Sequence, residues 1–270
     1  WNPACAHVAT REPSTLVKHL VSLGVRGRLR ACPLLWHAGS SPTGPVGAHR
    51  RRPDGQPREA PYTDVVAGPG IRSFHLRQSL RLDTESAVLV PVKAFDQAKR
   101  RLDAALGAAE RALLARAMAE QVLWAARPLP VAVVCDDTDV AAWARDNGAL
   151  VIWEPGRGLN GAVEAGVDRL RAAGVAQVIV AHGDLPRASG LDQVGRAPGV
   201  TLVPDRFGNG TNVIAVPAGA GFRFSYGPGS FARHRVEVER IGLPLHILDQ
   251  PDLAWDVDEP ADVVPVRGSR

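Results

Sequence analysis

One methionine, Met118, stands in the whole 270-residue chain, and residue 1 is a tryptophan. The beginning is therefore that of a fragment, a processed product, or a translation extended upstream of the true start codon, and the last is the expectation adopted here. Cysteine is almost as scarce. Cys5, Cys32 and Cys135 are widely spaced and form no CxxC pair, which argues against zinc and a disulfide framework and fits a reducing compartment. No apolar run approaches the roughly 20 residues that cross a bilayer. No charged-then-apolar leader opens the chain, so a cytoplasmic protein without membrane or nucleic-acid partners is expected. Aromatic residues are only 5% of the chain, and no aromatic-interleaved basic motif goes with the net charge of +4. Much of that charge lies in the first 85 residues, including Arg50, Arg51 and Arg52, where a polar, Pro-rich setting reads as a solvated tail. The phosphate-loop pattern GxxxxGK is absent as well.

What is present divides at about residue 85. Residues 1–85 show no sustained helical or alternating period. Gly39 to Pro69 is crowded with Gly, Pro, Ser and Arg, a composition that buries too little apolar surface to offset ordering entropy. The expectation is a disordered or non-native extension over 1–85 and one folded domain over 86–270. From Ala87 the pattern turns regular. AVLVPV (87–92), VAVVC (131–135), ALVIW (149–153) and VIVA (178–181) read as buried strands. Helices are predicted over Asp96–Leu106, Glu110–Ala126, Val140–Asn147 and Leu159–Ala173, with Leu113, Leu114, Ala117, Met118 and Val122 on the core face of the second. Gly148 and Gly174 stand where helix ends favour glycine. Strands alternating with helices imply an α/β fold, a mainly parallel sheet covered on both faces. Ligands then collect at the carboxyl ends of the strands.

That is where the unusual residues lie. PVKAFDQAKRRL (91–102) puts Lys93, Lys99, Arg100 and Arg101 around the turn after the first strand. These cations read either as a polyphosphate cradle or as a solvated basic face. HGDLP (182–186) sets Asp184 after the fourth strand, in the manner of a Mg²⁺ ligand or of a plain turn aspartate. WDVDEPAD (255–262) supplies Asp256, Asp258 and Asp262 from a distant part of the chain, and together the two segments could hold Mg²⁺ for nucleotidyl transfer. DRFGNGTN (205–212) offers backbone N–H groups and the Thr211 hydroxyl. YGPGSFARH (226–234) places Gly227, Gly229 and Ser230 at a helix start, with Ser230 the expected N-cap and the start itself an anion site. The plainer reading of His234 is a satisfied surface histidine. Asn160, in the GLN of 158–160, would cap its helix or read a base edge.

These motifs, in this order, resemble the 2-phospho-L-lactate/phosphoenolpyruvate guanylyltransferases of coenzyme F(420) biosynthesis. The resemblance covers about residues 87–263 and rests on PVKAFDQAKRRL, GLN, GDLP, GTN (210–212), YGPGSFARH and DVDEPAD. It implies a single-domain nucleotidyltransferase fold, a Rossmann-like three-layer sandwich of the nucleotide-diphospho-sugar transferase type. It also implies a Mg²⁺-dependent enzyme consuming GTP, with Asp184 and Asp256 holding the metal as catalytic residues. Thr211, Gly227 and Ser230 would bind phosphoenolpyruvate, Lys93 and Lys99 the triphosphate, and Asn160 would lie near the guanosine. The Ala-, Arg- and Gly-rich composition looks actinobacterial, which favours phosphoenolpyruvate over 2-phospho-L-lactate. A homodimer is compatible with the resemblance. His182–Gly183–Asp184, where the family often reads ADLP, and Tyr226 in place of Phe are departures that remove no ligand. A sister enzyme acting on a sugar phosphate or pterin would carry an LxGGxxxR-type first loop, which is absent. A non-catalytic nucleotide-binding module of the same fold would be expected to lose one of the two aspartates.

Overall fold

The computed structural model describes Leu82 and residues 84–263; the expectation of a disordered or non-native extension thus falls almost wholly outside the described residues. A seven-stranded sheet forms the centre, in the order β3-β2-β1-β4-β6-β5-β7. Its strands are β1 (Ser86–Pro91), β2 (Val131–Cys135), β3 (Leu150–Trp153), β4 (Gln177–Ala181), β5 (Val200–Pro204), β6 (Thr211–Pro217) and β7 (Leu245–Ile247). The first four run parallel, and β6 lies antiparallel between β4 and β5. Among the described residues the α-helices are α1 (Ala108–Ala125), α2 (Thr138–Asp146), α3 (Gly158–Ala172), α4 (Ser230–Ile241), α5 (Pro251–Ala254) and α6 (Pro260–Val263). Among the described residues no helix is long and apolar enough to cross a membrane.

The strand composition explains the layering. In β1 the residues from Ala87 to Val90 are all fully buried, as expected when both faces of a parallel sheet are covered. Val88 and Val90 point into one core with Ala119, Val122 and Trp143, from α1 and α2. Ala87 and Leu89 point into the other with Val163, Leu170 and Val238, from α3 and α4. Each fully buried Leu or Val contributes about 1.5–3 kcal/mol. Helix α3 sits tightly on β1 because Gly166 has no side chain; a Cβ there would stand 2.6 Å from the Leu89 Cδ2.

The predicted strands agree with the structure to within a residue, and three of the four helices to within two residues at either end. Leu114, Met118 and Val122 are buried as expected, with Leu113 and Ala117 at the margin. The helix expected over Asp96–Leu106 is a correction. That stretch makes two short 3-10 turns, Phe95–Gln97 and Arg100–Leu102, separated by Lys99 at φ 55°. A left-handed residue breaks the helical ladder. Phe95 and Leu102 are buried and pin the turns, Phe95 meeting Trp143 edge-on at 5.1 Å.

Candidate active site

Above the carboxyl ends of β1 and β4 lies a cleft of about 590 Å³, lined by Lys93, Lys99, His182, Asp184, Gly227 and Asp258 among others. Lys93 is exposed on its rim. Lys99 is the only non-glycine residue with positive φ among the described residues, a backbone cost that persists where the surroundings impose it. Its ammonium bonds Asp184 Oδ2 at 2.6 Å and Asp258 Oδ1 at 2.9 Å, with only 11% of the side chain exposed. Burial pulls the Lys99 pKa down, yet the two carboxylates outweigh it and hold the group above its ordinary value. Burial likewise pushes Asp184 up, and Lys99 and His182 bring it below the usual carboxylate range. Lys99 thus reaches the acidic centre of the cleft, whereas Lys93 stays at the edge.

The second acidic segment reaches the same place through Arg206. Its guanidinium donates to the Asp256 carbonyl at 2.6 Å and pairs with Asp262. Asp262 in turn accepts the Asp258 and Glu259 N–H groups, both at 2.8 Å. Asp262 therefore shapes the turn that presents Asp256 and Asp258. The guanidinium carbons of Arg187 and Arg206 each stand 4.5 Å from the centre of the Trp255 ring. The Val257 N–H donates to the Asp184 carbonyl at 3.4 Å, joining the two segments.

Asp184 Oδ1 and Asp256 Oδ1 are buried without a hydrogen-bond partner. Arg206 stands 3.7 Å from the latter, too far for a hydrogen bond. Burial first, and then the charge of Asp184, push the Asp256 carboxyl up to about 6. One unpartnered carboxylate oxygen on each of Asp184 and Asp256 makes a donor set that fits a hard divalent cation. No cluster of three or more His, Cys, Asp or Glu residues suited to a metal occurs among the described residues, so further oxygens would have to come from phosphates or water, as Mg²⁺ favours.

The third group of motifs meets behind the cleft wall. Gly227, at φ 114°, lines the cleft, in a backbone conformation open to glycine and costly for other residues. Arg233 takes up the carbonyls of Ser225, Gly227 and Pro228 at 2.6–3.4 Å, oxygens that would otherwise repel an anion beside this loop. The Asn160 side-chain oxygen accepts the Tyr226 N–H at 2.7 Å, tying the start of α3 to the same segment. Asn160 therefore does not cap its own helix, and only its amide group is left to meet a ligand. Thr211 and Ser230, each 2% exposed, lie deeper than Gly227.

Three expectations change here. Ser230 is not the N-cap: Gly229 holds that position in the left-handed region, with no side-chain cap, and Ser230 is the first helical residue. His234 is not a surface histidine. It is fully buried, bonded to Thr211 Oγ1 at 3.0 Å and to the Ser225 N–H at 3.0 Å, because the loop before α4 folds back over it. The DRFGNGTN amides are not offered to an anion, since Asp205 accepts those of Phe207, Asn209 and Gly210 at 2.7–3.0 Å. An aspartate opening a Gly/Asn loop is the signal that could have shown this turn. His182, whose ring lies 4.8 Å from that of Tyr226, was also missed as a cleft residue. Its burial keeps it below its ordinary pKa.

The mainly parallel sheet with one reversed strand is the α/β fold of the nucleotide-diphospho-sugar transferase type. A candidate nucleotide-diphospho-sugar transferase from Desulfovibrio desulfuricans has the same fold, with a TM-score of 0.54 at 18% identity over 65% of this chain and 83% of that one. Residues 86–267 match the family described as "Guanylyl transferase CofC like", and the chain belongs to that family. Phosphoenolpyruvate guanylyltransferase of Sphaerobacter thermophilus is 35% identical over 189 residues, 67% of this chain and 91% of the relative. That of Conexibacter woesei is 36% identical over 191 residues, 66% and 86% respectively.

Proposed function

We propose that the chain transfers GMP from GTP to phosphoenolpyruvate, releasing pyrophosphate and forming enolpyruvyl-diphospho-5'-guanosine. The observation that carries this reading is the pair of unpartnered carboxylate oxygens on Asp184 and Asp256, the first of these residues also paired with Lys99, in a chain of this family. A phosphate oxygen of the acid attacks the α-phosphorus of GTP; the new P–O bond forms as the bond to the β-phosphate oxygen breaks. The attacking oxygen is already anionic, so no general base is needed.

The barrier then lies in anion–anion repulsion and in-line alignment. Mg²⁺, held by Asp184 and Asp256, would supply positive charge against the phosphates. Lys99 would meet the triphosphate from beside Asp184, and Lys93 would meet it from the rim. The Asn160 amide group lies toward the guanosine in this reading. Gly227 leaves room for the acid, and the Thr211 and Ser230 hydroxyls supply neutral donors to its carboxylate. The test is incubation of the protein with GTP, Mg²⁺ and phosphoenolpyruvate, read by product mass and pyrophosphate release. The guanylylated acid is expected; nucleotide binding without any transfer would leave a non-catalytic module.

A further inference from the structure

Thr211 opens β6 and His234 lies one turn into α4, and the two side chains meet in the buried 3.0 Å contact between Oγ1 and Nδ1. The other ring nitrogen fixes its direction. Nε2 receives the Ser225 backbone N–H at 3.0 Å, so it presents a lone pair and carries no proton. A neutral imidazole with a bare Nε2 has its proton on Nδ1, and Nδ1–H then donates to the Thr211 hydroxyl oxygen. Having accepted there, the hydroxyl keeps its own proton to give elsewhere. The opposite tautomer would set two N–H donors against each other at Nε2 in a buried place, which is costly.

Ser225 cannot easily turn away from this role. Arg233 Nε donates to its hydroxyl at 2.7 Å, and Arg233 Nη2 to its carbonyl at 2.8 Å. Two residues further on, the same segment delivers Gly227 to the cleft wall. The backbone that shapes the wall therefore also sets the state of the ring behind it.

We propose that His234 is a positioning residue that locks Thr211 as a hydrogen-bond donor, so that the acceptor pocket selects a carboxylate, which only accepts, over an alcohol or ammonium, which donates. The inference rests on the reading of Thr211 as a contact of the acid. His234 itself touches no substrate.

The lock is read directly by ¹⁵N-histidine NMR on the unliganded full chain at neutral pH, with the His234→Gln difference spectrum giving the assignment. A protonated Nδ1 and bare Nε2 are expected; an Nε2–H ring overturns the proposal. Kinetics test the consequence. His234→Phe is expected to raise the KM for phosphoenolpyruvate about tenfold or more while leaving that for GTP within about twofold. His234→Asn, whose amide reaches the Nδ1 position, is expected to restore most of the loss. In a Thr211→Val background His234→Phe is expected to add nothing, because its route to the acid is already gone. Multiplying effects, or equal rises in both KM values, would show a merely structural histidine and end the proposal. A wild-type chain that transfers no guanylyl group sinks the proposed function instead, and the tautomer measurement still decides the lock.

Discussion

Replacing Lys99 by methionine removes the cation that Asp184 and Asp258 share while keeping most of the side-chain volume. Two bonds are lost, at 2.6 and 2.9 Å. They are not equal. The Asp258 side chain is 49% exposed and that of Asp184 is 24%, so water compensates the first far better than the second. Breaking a buried pair costs about 3–5 kcal/mol, and partial exposure places this one at the low end, about 3 kcal/mol. For a domain of this size, 1 kcal/mol shifts Tm by about 2–4 °C, so the unliganded variant should melt about 6–12 °C lower. If Asp184 holds Mg²⁺ as proposed, Mg²⁺ should reverse part of that loss and raise the Tm of Lys99→Met more than that of the wild type, where the ammonium would compete with the cation for Asp184. Thermal melts in chelator and in Mg²⁺ read both effects. An unchanged Tm in chelator, or equal shifts with Mg²⁺, would refute the reasoning. With GTP, losing a charge-assisted phosphate contact costs about 1.5–3 kcal/mol, a loss of about tenfold or more in kcat/KM.

Other perturbations separate the remaining parts of the site. Asp184→Asn and Asp256→Asn should each nearly abolish turnover while far-ultraviolet circular dichroism stays native; near-normal activity at low Mg²⁺ would remove that residue from the metal site. Burial, helped by Arg233 and His182 and opposed by Glu237, lowers the His234 pKa to about 4. A buried neutral histidine stabilises least where the unfolded chain is protonated and the fold is not, so stability should fall from pH 7 to pH 5 by about 2 kcal/mol through this ring. Urea unfolding of the wild type and His234→Gln checks it, since equal pH dependence in both would contradict the assignment. Gly227→Val forces a branched side chain into φ 114° at the cleft wall and should raise the KM for the acid far more than that for GTP. An unaffected acid KM would move the acid elsewhere. A chain beginning near Glu85 should fold and keep full activity, because residues 1–85 lack a core-forming pattern; loss of either would shift the domain boundary.

The layers of this fold were legible because buried parallel strands write themselves as unbroken apolar runs such as AVLV at 87–90, and helices as a period near 3.6. Lys93 and Asp184 were legible as cleft residues because each follows a strand at the sheet's carboxyl edge, and Gly227 because it stands just before a helix start. What stayed hidden depends on long-range partners. Periodicity cannot show that Lys99 would adopt φ 55° and so split a helix-like stretch into turns. Nor could it show that the Asp205 carboxylate would consume the amides of its own loop, or that His234 would be folded under Ser225. Asp258 was in view but not chosen, since three aspartates in one acidic turn look alike until Lys99 and Arg206 sort them.

The central claim is the transfer itself, with its donor and acceptor. One reaction addresses both: the protein with Mg²⁺, equal concentrations of ATP, CTP, GTP and UTP, and equal phosphoenolpyruvate and 2-phospho-L-lactate, resolved by product mass. Guanylylated phosphoenolpyruvate is expected in excess, with weak use of the second acid, since one mismatched carbon is worth only about 1–3 kcal/mol. A product carrying another base, or phospholactate guanylate in excess, would contradict it.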